Sequence, residues 1–181
     1  MEYSQDDYLM ISGIQHFKFC RRQWALIHVE QQWAENEHTV IGELMHKKAH
    51  DPYLTEKRKD ILVVRDLPVS SRSMGVSGEC DIVEFHKCED GVKLYGHRGT
   101  YSLYPIEYKK GKPKESNEDE LRDEVKKIFG EMHDYYDRNY TPKVKTSKRC
   151  VSCSLKDICM PKIDKSGSVK SYINKMLGET L

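Results

Sequence analysis

Apolar positions recur at roughly helical spacing through Ile14, Phe17, Trp24, Leu26 and Ile27. That pattern predicts one helix from a Ser12 cap to about His28. Gln31 to His38 is polar and reads as a loop. Thr39 to Tyr53 predicts a second helix, with Val40, Ile41, Leu44 and Met45 as its apolar residues and Pro52 ending it. The period then changes. Ile61 to Ser70 is rich in β-branched residues and reads as a strand. Met74 to Phe85 reads as the next, with Gly75 and Gly78 allowing close backbone approach. Glu89-Asp90-Gly91 is a hairpin signal, Leu94 and Tyr95 a short strand, Gly96 to Thr100 a turn, and Tyr101 the start of another strand. Helical spacing returns from Leu121 to Tyr140. There Val125, Ile128, Phe129, Met132, Tyr135 and Tyr136 oppose a charged face, and Thr141-Pro142 ends the element. Ser168 to Leu177 predicts a short tail helix. The order is two helices, an antiparallel meander and a long helix, an α/β layout without internal repeats.

The strand from Tyr101 continues into Tyr104-Pro105-Ile106-Glu107-Tyr108-Lys109-Lys110-Gly111-Lys112. At strand period, Glu107 and Lys109 share a face, while Ile106 and Tyr108 take the other. A carboxylate and an ammonium so placed suit metal-assisted phosphodiester hydrolysis. Glu107 would hold a divalent cation and Lys109 would steady the attacking water and the developing charge. Taken alone, the tripeptide fits an ordinary ion pair on a solvated edge strand better. Asp81 sits in the preceding strand, where its plain reading is a strand-edge turn residue. His46 and His50 fall at i,i+4 in the second predicted helix, the spacing of a surface pair. They lack the glutamate of a zinc-protease motif, but one of them could face an acidic site.

Length and charge narrow the choice. The 181 residues suffice for one domain with a core and a small appendage. Net charge is only +1, so no global field advertises nucleic acid. Basic residues instead cluster at Arg21-Arg22, Lys109 to Lys114 and Lys143 to Arg149. Nothing reads as an export signal or a membrane span, so a cytoplasmic protein with no membrane partner is expected.

Of the six cysteines, Cys150, Cys153 and Cys159 form a C-x2-C-x5-C group. Three thiols near one terminus, without an export signal, read as a metal or cluster site rather than as disulfides. A four-coordinate site needs one more ligand from Cys20, Cys80, Cys88 or a histidine. Spacing alone places zinc somewhat ahead of a cluster.

Together these residues resemble the RecB-like nucleases of the PD-(D/E)XK superfamily that carry an iron–sulfur cluster. Within that group they resemble the CRISPR-associated exonucleases active in spacer acquisition. The likeness runs from about Ile11 to Pro161. It places the family's histidine on His46, its aspartate on Asp81 in Gly78-Glu79-Cys80-Asp81, its E-x-K motif on Glu107-Tyr108-Lys109, and its cluster ligands on Cys20, Cys150, Cys153 and Cys159. No one of these motifs is specific. Their shared order, with cysteines bracketing the core, is.

The resemblance implies a restriction-endonuclease-like α/β core over 1–140, a central mixed sheet flanked by helices. A cluster-binding segment and tail follow over 141–181, joined to the N-terminal helix through Cys20. It implies a [4Fe–4S] cluster, and Mn²⁺ or Mg²⁺ held by His46, Asp81, Glu107 and the Tyr108 carbonyl. Lys109 would orient water, and Lys110, Lys112 and Lys114 would track DNA. The implied activity is a deoxyribonuclease trimming single-stranded overhangs of captured DNA alongside the CRISPR spacer integrase complex. A general recombination or repair nuclease, or a non-catalytic DNA-end-binding module, are the alternatives. One departure stands out. The family's glutamine- and tyrosine-bearing helix after E-x-K is missing, and no glutamine follows Gln32. A segment missing near 118–121 is therefore expected.

Overall fold

The computed structural model describes residues 2–36, 40, 56–58, 60–106, 118–162 and 168–177. Within them the protein is mixed α/β, with a curled mixed sheet flanked by helices. The strands are β1 (Leu9–Met10), β2 (Glu56–Arg58), β3 (Ile61–Ser71), β4 (Val76–Cys88), β5 (Val92–Lys93) and β6 (Thr100–Ile106). They run in the order β2-β3-β4-β6-β5, and β1 pairs with β4. Only the β1–β4 pairing is parallel, with Leu9 opposite Val76. The helices are α1 (Gly13–Phe19), α2 (Arg21–His28), α3 (Glu118–Asp137), α4 (Lys156–Cys159) and α5 (Val169–Met176).

The long β3–β4 hairpin forms as the β-branched run predicts. Its turn needs a left-handed residue, and Gly75 supplies it at φ 60. The register is constant from Ile61↔His86 to Ser71↔Val76. It passes through Asp66, a non-glycine residue at φ 51. The flanking pairs Arg65↔Ile82 and Leu67↔Cys80 set Asp66 across from Asp81.

The main core lies between the helices and the start of β4. Phe17, Trp24 and Met132 are wholly buried, packed with Leu9, Ala25, Val76, Ile128 and Phe129. Fully burying a side chain such as Phe17 or Met132 stabilises the fold by about 1.5–3 kcal/mol each. Val125, Ile128, Phe129 and Met132 recur at helical spacing and turn one face of α3 onto α1 and α2. Tyr136, expected on that face, is exposed. Ion pairs Lys18–Glu124 (2.9 Å) and Arg21–Glu131 (2.7 Å) line the rim of this packing. Both are surface pairs worth well under the core contacts. A smaller cluster of Val83, Phe85 and Tyr101 packs with Leu62, Val64 and Leu94.

Several expectations need correction. The helix expected from Ser12 to His28 is two helices, broken at Cys20 (φ −163, ψ 120). The Cys20 N–H bonds to His16 O, and its carbonyl accepts from Trp24 N–H, so one residue ends α1 and begins α2. Ser12 makes no side-chain cap. The turn at Glu89-Asp90-Gly91 does not pair β4 with the strand that follows it. The seven residues of β6 take the edge of β4, and the two residues of β5 pair with β6 instead. The longer ladder satisfies more backbone groups, so it outcompetes the local hairpin. Leu94 and Tyr95, expected in a strand, lie in the β5–β6 loop. α3 is continuous from Glu118 to Asp137.

Candidate metal centre

The break at Cys20 turns a helical position into a corner, and what meets that corner is the C-terminal segment. A single 3-10 turn (Lys148–Ser152) and α4 carry the C-x2-C-x5-C group. Cys20, Cys150, Cys153 and Cys159 line one pocket, with Phe19, Leu26, Val144, Leu155 and Pro161 as apolar walls. Leu155 is wholly buried beneath it. All six cysteines are free thiols. Of the candidates for a fourth ligand beside the trio, Cys20 lines this pocket. Cys80 lies in β4 against the smaller apolar cluster, and Cys88 contacts Asp90 O and Ser102 Oγ.

Three of the four sulfurs accept N–H hydrogen bonds. Arg22 Nε donates to Cys159 Sγ at 3.3 Å, Gln23 Nε2 to Cys153 Sγ at 3.4 Å, and the Ser147 backbone N–H to Cys150 Sγ at 3.4 Å. Gln23 is buried, so its amide is committed to this sulfur-lined space. Such donors favour the thiolate over the thiol and tune a bound centre. Opposing them, burial pushes the Cys153 thiol up. The Leu155 backbone N–H pulls it down, and the neighbouring Cys20, Cys159 and Cys150 push in the same direction as burial. Ionising all four sulfurs of this pocket together would set like charges against one another, a cost that a bound cation would remove. Burial, then the adjoining Asp81 carboxylate, also raises Cys80, which therefore stays a protonated thiol at neutral pH.

The segment is pinned by side chains reaching backbone. Arg149 Nη1 donates to Lys18 O and Phe19 O, both at 3.0 Å. These are end carbonyls of α1, left without helical partners by the break at Cys20. Arg22 Nη1 donates to Pro142 O at 2.8 Å, and Asn36 Nδ2 to Ser152 O at 3.2 Å. Arg21 pairs with Glu131 and lies over the Phe17 ring, 4.8 Å from its centroid. Arg21, Arg22 and Arg149 belonged to basic runs in the sequence. Their contacts here are structural.

A [4Fe–4S] cluster takes four cysteine thiolates, and N–H bonds to their sulfurs help set its potential. The donor set fits that group. It also fits zinc by ligand type. Among the described residues, no three His, Cys, Asp or Glu side chains are grouped closely enough to hold a single metal ion.

Of the expected catalytic residues, Asp81 is described, half-buried in the middle of β4. His46, His50, Glu107, Tyr108, Lys109, Lys110, Lys112 and Lys114 lie outside the described residues. The last described pair of the β4–β6 ladder is Ile82 with Ile106. Asp81 and Glu107 are their sequence neighbours. Asp66, across from Asp81, was not singled out from the sequence. An aspartate inside a β-branched run was its only signal there, and its left-handed backbone shows only in three dimensions.

No protein-family model matches the chain, and no curated protein matches it significantly. Among the described residues, no helix is long and apolar enough to cross a membrane.

Proposed function

We propose that this protein is a metal-dependent deoxyribonuclease that trims single-stranded overhangs. In this reading a [4Fe–4S] cluster braces its N-terminal helices to its C-terminal segment. The observation that carries the reading is that Cys20 lines one pocket with Cys150, Cys153 and Cys159, across some 130 residues of chain. An arrangement with three sulfur-directed N–H donors supports a built ligand set better than incidental thiols. The second support is positional. Asp81 and Glu107 are the sequence neighbours of Ile82 and Ile106, the last described pair of adjacent strands, and two carboxylates brought together there would share a cation.

Asp81, Glu107 and His46, with the Tyr108 carbonyl, would hold Mn²⁺ or Mg²⁺. Bound there, the ion supplies charge stabilisation at phosphorus. Lys109 would position the attacking water, and Lys110, Lys112 and Lys114 would follow the phosphate backbone. The partner in this reading is the CRISPR spacer integrase complex, and the substrate is captured DNA before insertion. The cysteine group has a structural role, because closing so long a loop is where a cross-link stabilises most in principle.

Two measurements test it. Anaerobically purified protein should hold roughly four irons per chain with matching sulfide. Cys20→Ser should empty it as fully as Cys153→Ser, and Cys88→Ser should leave it loaded. Stoichiometric zinc without iron sinks the cluster assignment. With labelled overhang DNA and Mn²⁺, Lys109→Ala should stop cleavage while DNA binding persists. Unchanged cutting by that variant removes the mechanism, and a wild type that binds but never cuts is an end-binding module.

A further inference from the structure

At the end of the sheet away from Ile106, residues 94–99 form the loop between β5 and β6. Tyr95, in the loop between β5 and β6, is fully exposed. A solvated loop tip would be the ordinary explanation. A flexible tip, however, would let the ring fold back onto the sheet, and this loop is pinned. His97 N–H donates to Leu94 O at 3.1 Å, Tyr101 Oη to Arg98 O at 3.3 Å, and Thr100 Oγ1 to Cys88 O at 2.6 Å. Gly96 (φ 77) and Gly99 (φ 96) supply the two left-handed positions the loop needs. The loop is thus fixed on both sides of Tyr95, whose ring stands fully exposed.

Its surroundings have the right chemistry for a polyanion with flat rings. Lys93, His97 and Arg98 are exposed beside it. A Cβ built on Gly99 would come within 3.0 Å of Lys87 Cε, so that lysine lies against the loop. Among the described residues, Lys87, Lys93 and Arg98 form no ion pair. Glu89 and Asp90, in the adjoining turn, offset part of this charge. The ring, more than the field, must then carry any contact. From the loop, β6 leads to Ile106 over a strand roughly 20 Å long. Along it Tyr104 is exposed, its ring 4.6 Å from that of His86.

We propose that the β5–β6 loop is a stacking platform for single-stranded DNA, with Tyr95 receiving a base and Arg98 and Lys93 the neighbouring phosphates. This deepens the nuclease reading and rests on it. An overhang gripped at Tyr95 would run along β6 toward Glu107, which follows Ile106 in sequence. Recognition is sequence-tolerant, since every base offers a π face.

The test is fluorescence anisotropy of a labelled oligothymidylate in EDTA, so that no cleavage enters the readout. Tyr95→Ala should weaken binding about tenfold and Tyr95→Phe should restore it, whereas Tyr95→Leu should not, because stacking rather than apolar area is lost. Arg98→Ala should have the smaller effect and reduce the salt slope by about one. Thermal melting of Tyr95→Ala should match wild type, because the ring is solvent-exposed. Equal binding by wild type and Tyr95→Ala overturns the platform even if the protein cuts DNA with Mn²⁺. A wild type that holds no oligothymidylate overturns it too. Failure of the nuclease reading appears separately, as absence of Mn²⁺-dependent cutting in a protein that still grips the oligonucleotide through Tyr95.

Discussion

Stability should fall as pH drops from 7.5 to 5, and His28 should account for much of the fall. His28 Nε2 and His16 Nδ1 are 3.3 Å apart, one donating and one accepting, an arrangement that needs at least the accepting ring neutral and is lost when both are charged. Trp24 stacks on His28 at 5.3 Å, and Trp33 meets His16 edge-on at 6.3 Å. Burial, then the neighbouring His16, holds His28 down from its ordinary 6.5 to about 4. Burial lowers His16 as well. A depressed histidine binds protons more weakly folded than unfolded. Its contribution is therefore complete above pH 6.5, declines as pH falls from there, and is gone below about 4. The full shift corresponds to at most about 3.4 kcal/mol. His28 is only half-buried, and solvent screening brings this to about 2 kcal/mol, of which about 1 kcal/mol should be lost by pH 5. Urea unfolding of wild type and His28→Gln at stepped pH isolates the term, since the carboxylates titrate alike in both. The wild-type curve should converge on the variant's as pH falls. Two curves that stay parallel from pH 7.5 to 5 would refute the reasoning.

Met132→Ala empties the middle of the main core, where the side chain is wholly buried. It should cost about 2–5 kcal/mol in urea unfolding, and a loss below 1 kcal/mol would mean that the helices close around the gap. Gly75→Ala and Gly96→Ala both force a left-handed alanine. Only at Gly75 does the new methyl strike neighbours, 2.5 Å from Tyr3 Cγ and 2.6 Å from His133 Nε2. Thermal melting should therefore show Gly75→Ala losing about 1–3 kcal/mol more than Gly96→Ala. Equal losses would show that Tyr3 moves aside freely.

The parts of the fold that obey a local period were legible in the sequence. The β-branched run of β3, the i,i+3,i+4,i+7 stripe on α3 and the tail helix capped by Ser168, whose hydroxyl accepts from Ser171 N–H, all follow from neighbours a few residues apart. What escaped depends on distant partners. The apolar spacing of Ile14 to Ile27 fits one helix, yet the chain breaks at Cys20. Arg149, 129 residues later, supplies donors for the carbonyls that the break exposes. The choice of β6 over β5 by β4 is likewise a competition between ladders that no short window contains. The trio of cysteines was legible as a group from spacing. That Cys20 lines the same pocket was not, because the family likeness rather than any pattern singled out Cys20. Asp66 had no signal beyond an acidic residue in an apolar strand.

The main core draws Phe17 and Trp24 from one end of the chain and Ile128, Phe129 and Met132 from the other. That has a consequence for synthesis. At about 5–20 residues per second, the ribosome delivers α3 roughly 5–20 seconds after Trp24, and Cys150 a little later still. During that interval the β3–β4 hairpin can form from its own neighbours, while the two N-terminal helices wait with their apolar faces uncovered. The core can first be completed only once α3 has emerged, long after Phe17 and Trp24. A growing chain stalled before Ile128 should present Phe17 and Trp24 to chaperones.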